Sequence, residues 1–315
     1  MSRRAWIIFL IIGCAAPFLL YPVFVMKVLC AGLFASAFGL LIGYTGLLSF
    51  GHAAFFGTAA YVTGYLAKDL GVSPPLALLT GTLAALTLGA LVGSLAIRRQ
   101  GIYFAMITLA LAQLVYFIVL QTPATGGEDG LQGVPRGALF GIDLSDSISM
   151  YFFVFVIFCL ALAFIDRVIH SPFGQALKSV RENEPRAISL GFDADRLKLL
   201  AFILSAGLAG LAGGLNTLVF QLASLTDVNW RLSGEVVLMT LLGGMGTFLG
   251  PLIGAAVVVT LENRLGSSAG SWVQVIVGVT FIVCVLAFRR GIVGELLRAL
   301  NAYFDRAAAS KKEIS

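Results

Sequence analysis

The chain has 315 residues, of which 59% are apolar and only 12% charged, with 36 Gly and a mean hydropathy of +0.96. These proportions exclude a soluble globular domain and place the chain among integral membrane proteins. The formal charge of +5 does not mark a nucleic-acid binder, because the basic residues fall in short clusters between apolar runs and are not spread over one face.

A hydrocarbon core of about 30 Å needs about 20 apolar residues per helix. Taken in chain order, spans are predicted at 6–26, 28–43, 47–67, 74–97, 101–120, 148–168, 199–220 and 271–288, with a broken apolar region at 235–261. Lys and Arg near span ends set orientation. Arg3 and Arg4, Arg98 and Arg99, the stretch 167–198 and the tail from Arg289 to Lys312 are therefore expected in the cytoplasm, together with both termini. The loop 121–147 carries four acidic residues and one Arg and suits the opposite side.

Parity then constrains the broken region. Seven crossings from a cytoplasmic start leave residue 221 outside, and the last span must return inside, so 235–261 must enter and leave by the same side. "GGMG" at 243–246 and Gly250-Pro251 lie in its middle, where a continuous helix would be weakest. The expected fold is an all-α integral membrane protein with about eight spans and one re-entrant segment. Its membrane domain would cover 1–288, including a cytoplasmic loop at 169–198, and a basic tail would follow over 289–315.

A similar interruption, "GYTGLLSFGHAAFFGTAAY", occupies 43–61. Non-helical backbone at membrane depth is tolerated only where protein buries it or water lines it, and paired interruptions in the two halves of a transporter point toward the solute path. The candidate path residues are Thr45, Gly46, Ser49 and His52 in the first break, and Gly243, Gly244, Gly246 and Thr247 in the second. The competing reading is close helix packing through small residues. His52 reads more readily as a hydrogen-bonded structural group than as a proton carrier, and Glu235 and Glu262 flank the second break, as if marking its mouth.

Several chemistries find no support. There is no P-loop motif for ATP, and "GGMGTFLG" at 243–250 lacks both the phosphate-binding Lys and the strand context of a dinucleotide site. His52 and His170 have no nearby ligand partners, and the four cysteines show no metal-ligand spacing. No catalytic residue, metal or cofactor is expected. "IIGC" at 11–14 resembles a lipoprotein box, but the apolar "AAPFLLYPVFVM" that follows fits an uncleaved first span.

The stretch "SPFGQALKSVRENEPRAISLGFDADRLK" at 171–198 is a charged island in this apolar chain. Ser171-Pro172 is a helix start. Phe173, Ala176, Leu177 and Val180 form one apolar stripe, with Lys178, Arg181 and Glu182 off it. Pro185 stops or restarts the helix, Gly191 suits a left-handed C-terminal position, and Asp193 or Asp195 can cap the next helix. The pattern predicts a short amphipathic helix pair with one face on the membrane domain and one free for a partner; the alternative is an interfacial helix on lipid headgroups.

The island and the span after it, through "LLAFILSAGLAGLAG", resemble the branched-chain amino-acid ABC transporter permeases of the LivM type. So do "GYTGLLSFGHAAFFGTAAY" at 43–61, "GIYFAMITLALAQL" at 101–114, "TGGEDGLQGVP" at 125–135 and "LLGGMGTFLGPLIGAA" at 241–256, in the same order. The resemblance implies a permease in the bacterial plasma membrane, paired with a second related permease, two cytoplasmic ATPases and an extracytoplasmic binding protein. It also implies that Phe173, Gly174, Ala176, Leu177, Val180, Arg181, Glu182, Asn183, Glu184 and Gly191 form the loop that couples to the ATPases. "QLASLTDVNWRLSGEVV", from 221, departs from the Pro-containing stretch of many members and leaves the solute open among branched-chain and other amino acids, urea and amides. The rival from another class is an ATP-independent channel for a small polar solute, in which the island anchors to lipid.

Overall fold

The computed structural model describes residues 3–139 and 141–269, with isolated positions between 275 and 295. The predicted last span at 271–288 and the tail at 289–315 therefore lie, apart from those positions, outside the described residues. Within them the chain forms helices α1 (Arg3–Leu19), α2 (Pro22–Thr45), α3 (His52–Lys68), α4 (Pro74–Ala96), α5 (Ile102–Gln121) and α6 (Ser147–Ile169). The island supplies α7 (Pro172–Glu182) and α8 (Glu184–Ser189), followed by α9 (Ala194–Phe220), α10 (Trp230–Gly243) and α11 (Gly250–Ala269). Five of these, α2, α4, α5, α6 and α9, are long and apolar enough to cross a membrane. The chain is an all-α, multi-pass membrane protein.

Two expected boundaries move. The break between the first two spans falls at residues 20–21 and not at 27, because Pro22 opens α2 from an extended Tyr21 and proline favours the first helical turn. Lys27 thereby lies inside a helix. The span expected at 47–67 starts at His52, because Gly46 ends α2 in the left-handed conformation, φ 75°, and residues 47–51 stay non-helical.

Helix α9 is the spine. Its 27 residues span about 40 Å, and α2, α3 and α4 all pack along it. Small residues allow that approach: a Cβ added at Gly213 would lie 2.0 Å from the Phe56 carbonyl oxygen.

The two ends of α9 define two ends of the molecule. At its start, Lys198 Nζ donates to Glu184 Oε1 at 2.5 Å, which ties down the island. At its other end, β1 (Leu131–Gln132) pairs antiparallel with β4 (Leu222–Ala223), Leu131 opposite Ala223. Beside it, β2 (Ala138–Leu139) and β3 (Ile142–Asp143) form a hairpin. Arg136 Nη2 donates to the Val219 carbonyl at 2.7 Å. The loop 121–147 thus becomes a cap at the end opposite the island.

The broken region folds as an antiparallel pair. Helix α10 starts after β4 at the cap end and runs beside α2, with Thr240 Oγ1 donating to the Ala35 carbonyl at 3.2 Å. Helix α11 returns to the cap end, where Glu262 lies 3.9 Å from Lys27. The turn between them reaches the island end, against Gly43 of α2.

Candidate functional site

The island is assembled by local hydrogen bonds that short polar residues make at helix starts. Ser171 Oγ accepts from Gly174 N at 3.3 Å, Asn183 Oδ1 from Arg186 N at 3.0 Å, and Asp193 Oδ1 from Arg196 N at 3.1 Å. Gly191 has φ 90°, as its left-handed role requires. Gly174 is forced by crowding, since a Cβ there would meet the Ile169 carbonyl oxygen at 2.3 Å. Ala176, Leu177 and Val180 are buried, and Phe173 packs partly buried against the core. Leu177 belongs to the main core, whereas Val180 forms a small satellite with Ala187 and Ala194.

The charges of the island divide into those turned inward and those left free. Lys178 Nζ sits 5.6 Å from the centre of the Tyr44 ring, and Arg181 Nη1 donates to the Gly43 carbonyl. The same guanidinium nitrogen lies 3.7 Å from where a Cβ on Gly246 would stand. Arg181 thus docks on the end of α2 and stands beside the turn at Gly246. Glu184 accepts from Lys198 and also from Gln100 Nε2 at 3.1 Å, so it joins the island to α9 and to the α4–α5 connection. Glu182 is exposed and stays available to a partner.

The eight candidate path residues gather in the interrupted segments, where the hydroxyls of Thr45, Ser49 and Thr247 are spent locally. Thr45 Oγ1 donates to the Leu41 carbonyl at 2.6 Å, Ser49 Oγ accepts from Gly51 N at 3.2 Å, and Thr247 Oγ1 donates to the Gly244 carbonyl at 2.9 Å. Ser205 Oγ donates to the Ala37 carbonyl at 2.6 Å, so it accepts from His52 Nε2 at 2.8 Å. His52 is buried among Phe38, Phe55 and Phe202, and its Nδ1 has no hydrogen-bond partner among the described residues. Gly243 packs: a Cβ there would stand 1.8 Å from the Gly250 carbonyl oxygen. Gly46, Gly244 and Gly246 all have positive φ and shape the turns at the island end.

At the cap end the structure opens instead. A cavity of about 380 Å³ lies between α2, α9, α10 and α11, within the range of small-molecule sites. Its polar groups are Lys27, Asn216, Ser224, Asp227, Glu235 and Glu262. Burial raises the Asp227 carboxyl above its ordinary range, and the hydrogen bonds that its oxygen accepts from Ser224 N and Oγ pull it back. None of the eight path candidates lines this cavity. Sequence reasoning placed Glu235 and Glu262 at a mouth but missed Lys27, Asn216 and Asp227. The available signal was a lone cation within an apolar run, which in a membrane segment marks a functional position.

A family model described as "Branched-chain amino acid transport system / permease component" matches residues 23–285. The chain belongs to this family. The permease is 29% identical over 249 residues to the high-affinity branched-chain amino acid transport system permease protein LivM of Salmonella typhimurium, covering 71% of this chain and 58% of that protein. The LivM protein of Escherichia coli matches to the same extent. A probable branched-chain amino acid transport permease protein LivH from Methanocaldococcus jannaschii is 28% identical over 116 residues, 35% of each chain. The permease thus spans less than two thirds of the length of the two bacterial LivM relatives. No solved structure matches it.

Proposed function

We propose that the chain is the membrane-spanning permease subunit of an ATP-binding-cassette importer for branched-chain or related amino acids. It would pair with a second related permease, take solute from an extracytoplasmic binding protein, and be driven by two separate cytoplasmic ATPases. The island end would face the cytoplasm, as its positive charge favours.

The observation that carries this reading is the placement of Arg181. One side chain on the amphipathic island donates to Gly43 in the last turn of α2 and stands beside the α10–α11 turn at Gly246. A displacement of α7 by a docked ATPase must therefore move both interruptions together. Thr45, Gly46, Ser49, His52, Gly243, Gly244, Gly246 and Thr247 then belong to a closed inner gate, and the cavity at the cap end is the side open to solute. ATP binding supplies the differential free energy between the two states that such a change requires. Glu182, together with the exposed edges of α7 and α8, would meet the ATPase.

The test is uptake of radiolabelled leucine into vesicles holding the permease with the permease, ATPase and binding-protein products of adjacent genes. Uptake should need ATP and binding protein, and Arg181→Ala should uncouple it by leaving ATP hydrolysis without matching transport. Equal uptake with and without ATP would establish the channel reading instead.

A further inference from the structure

The cavity at the cap end has a composition that neither a lipid-facing groove nor a water pore would need. Its lining combines Phe34, Phe56, Met239 and Val259 with one ammonium, Lys27, and three carboxylates, Asp227, Glu235 and Glu262. The carboxylates are not equally engaged. Asp227 is held by Ser224. Glu262 faces Lys27 only at 3.9 Å, well beyond the 2.7–2.9 Å usual for a charge-assisted hydrogen bond. Glu235, in the second turn of α10 and half-buried, has no hydrogen-bond or ion-pair partner among the described residues.

A half-buried carboxylate without a donor is costly, and the Lys27 ammonium has only the distant Glu262 opposite it. Among the described residues the three do not converge as a metal-holding group. What completes this arrangement is an organic molecule bringing an ammonium for Glu235, a carboxylate for Lys27 and an apolar body for the aromatic and aliphatic wall. We infer that this cavity is a binding station within the permease itself for an apolar α-amino acid, with Glu235 receiving the ammonium and Lys27 the carboxylate. This rests on the importer reading above. It adds that the membrane subunit reads both charged ends of its solute after the binding protein has released it, so that molecules carrying one end alone are held less well.

The experiment uses the full-length permease in lipid nanodiscs, with saturation-transfer NMR and three probes: L-leucine, 3-methylbutylamine and 4-methylpentanoate. Leucine should saturate at lower concentration than either half-molecule. Glu235→Gln should weaken leucine and the amine about tenfold, the scale of one charge-assisted hydrogen bond, and spare 4-methylpentanoate. Lys27→Met should do the reverse, weakening leucine and 4-methylpentanoate while sparing the amine. Absence of saturable leucine binding to the wild type, or equal weakening of all three probes by both variants, overturns the assignment. ATP-driven uptake with an unchanged KM in Glu235→Gln would remove this site and leave the importer reading standing. Selective binding without ATP-driven uptake would remove the importer reading and leave the site.

Discussion

At the island end of the molecule nearly every charge near the core has an internal partner; at the cap end Asp227 is held by Ser224, but the other charges around the cavity, Lys27, Glu235 and Glu262, are loosely paired or unpaired. Lys198 is buried and bonded to Glu184 at 2.5 Å, and Arg181 is docked on Gly43. Lys27 and Glu262 stand 3.9 Å apart, and Glu235 has no ion-pair partner among the described residues. The helices of the hairpin follow the same gradient, tight where Gly243 meets Gly250 and open where Gly234 has nothing within 4 Å of an added Cβ. A satisfied ion pair inside a protein holds structure, whereas an unsatisfied one is poised to bind. On the proposed reading the two ends divide the work between locking and recognition.

That division is most exposed to attack at Leu177, which is 1% exposed in the core beneath the island. Leu177→Asp places an unpaired charge there, at a cost of about 3 kcal/mol or more. It should lower thermal stability in detergent and abolish ATP-driven uptake while the chain still inserts; wild-type uptake would show that the island is not docked through its apolar stripe. Glu184→Leu should come next, because it strands the buried Lys198 and costs about 3–5 kcal/mol. The double variant Glu184→Leu with Lys198→Met should recover most of that loss by thermal unfolding, and failure to recover would mean that the pair is not the lock.

The hairpin offers a smaller contrast between the ends. Gly254→Ala would bring a Cβ to 1.8 Å from the Met239 carbonyl oxygen, a backbone clash costing about 1–3 kcal/mol. Gly234→Ala, nearer the cap, meets nothing and should stabilise by up to about 1 kcal/mol through helix propensity. Measured side by side in the same detergent, the two should have opposite signs; equal effects would erase the gradient. Glu182→Ala, at an exposed island position, should leave the stability of the isolated permease unchanged and alter only ATPase co-purification.

What was legible in the sequence follows from how local each determinant is. Ser171, Gly191 and Asp193 act within three or four residues of themselves, so their roles as caps could be read along the chain. The broken region was legible because Gly250-Pro251 interrupts hydropathy visibly. The cavity was not, because Lys27, Asn216, Glu235 and Glu262 come from distant stretches, and Lys27 coincided with an expected span boundary. Thr45 and Ser49 had the right chemistry for a path, but nothing along the chain showed that backbone groups one turn or two residues away would engage their hydroxyls. Arg181 stood out as a docking charge; that it would dock on its own chain depended on α2 ending beneath it.

The cap has a consequence for how the chain is made. Strand β1 finds its partner β4 about ninety residues later, and Arg136 waits for a carbonyl at the far end of α9. A chain emerging from the ribosome delivers its N-terminal part first, so both groups remain unmatched until the spine has been made. Closure of the cap is then a record that the whole spine has been made and folded.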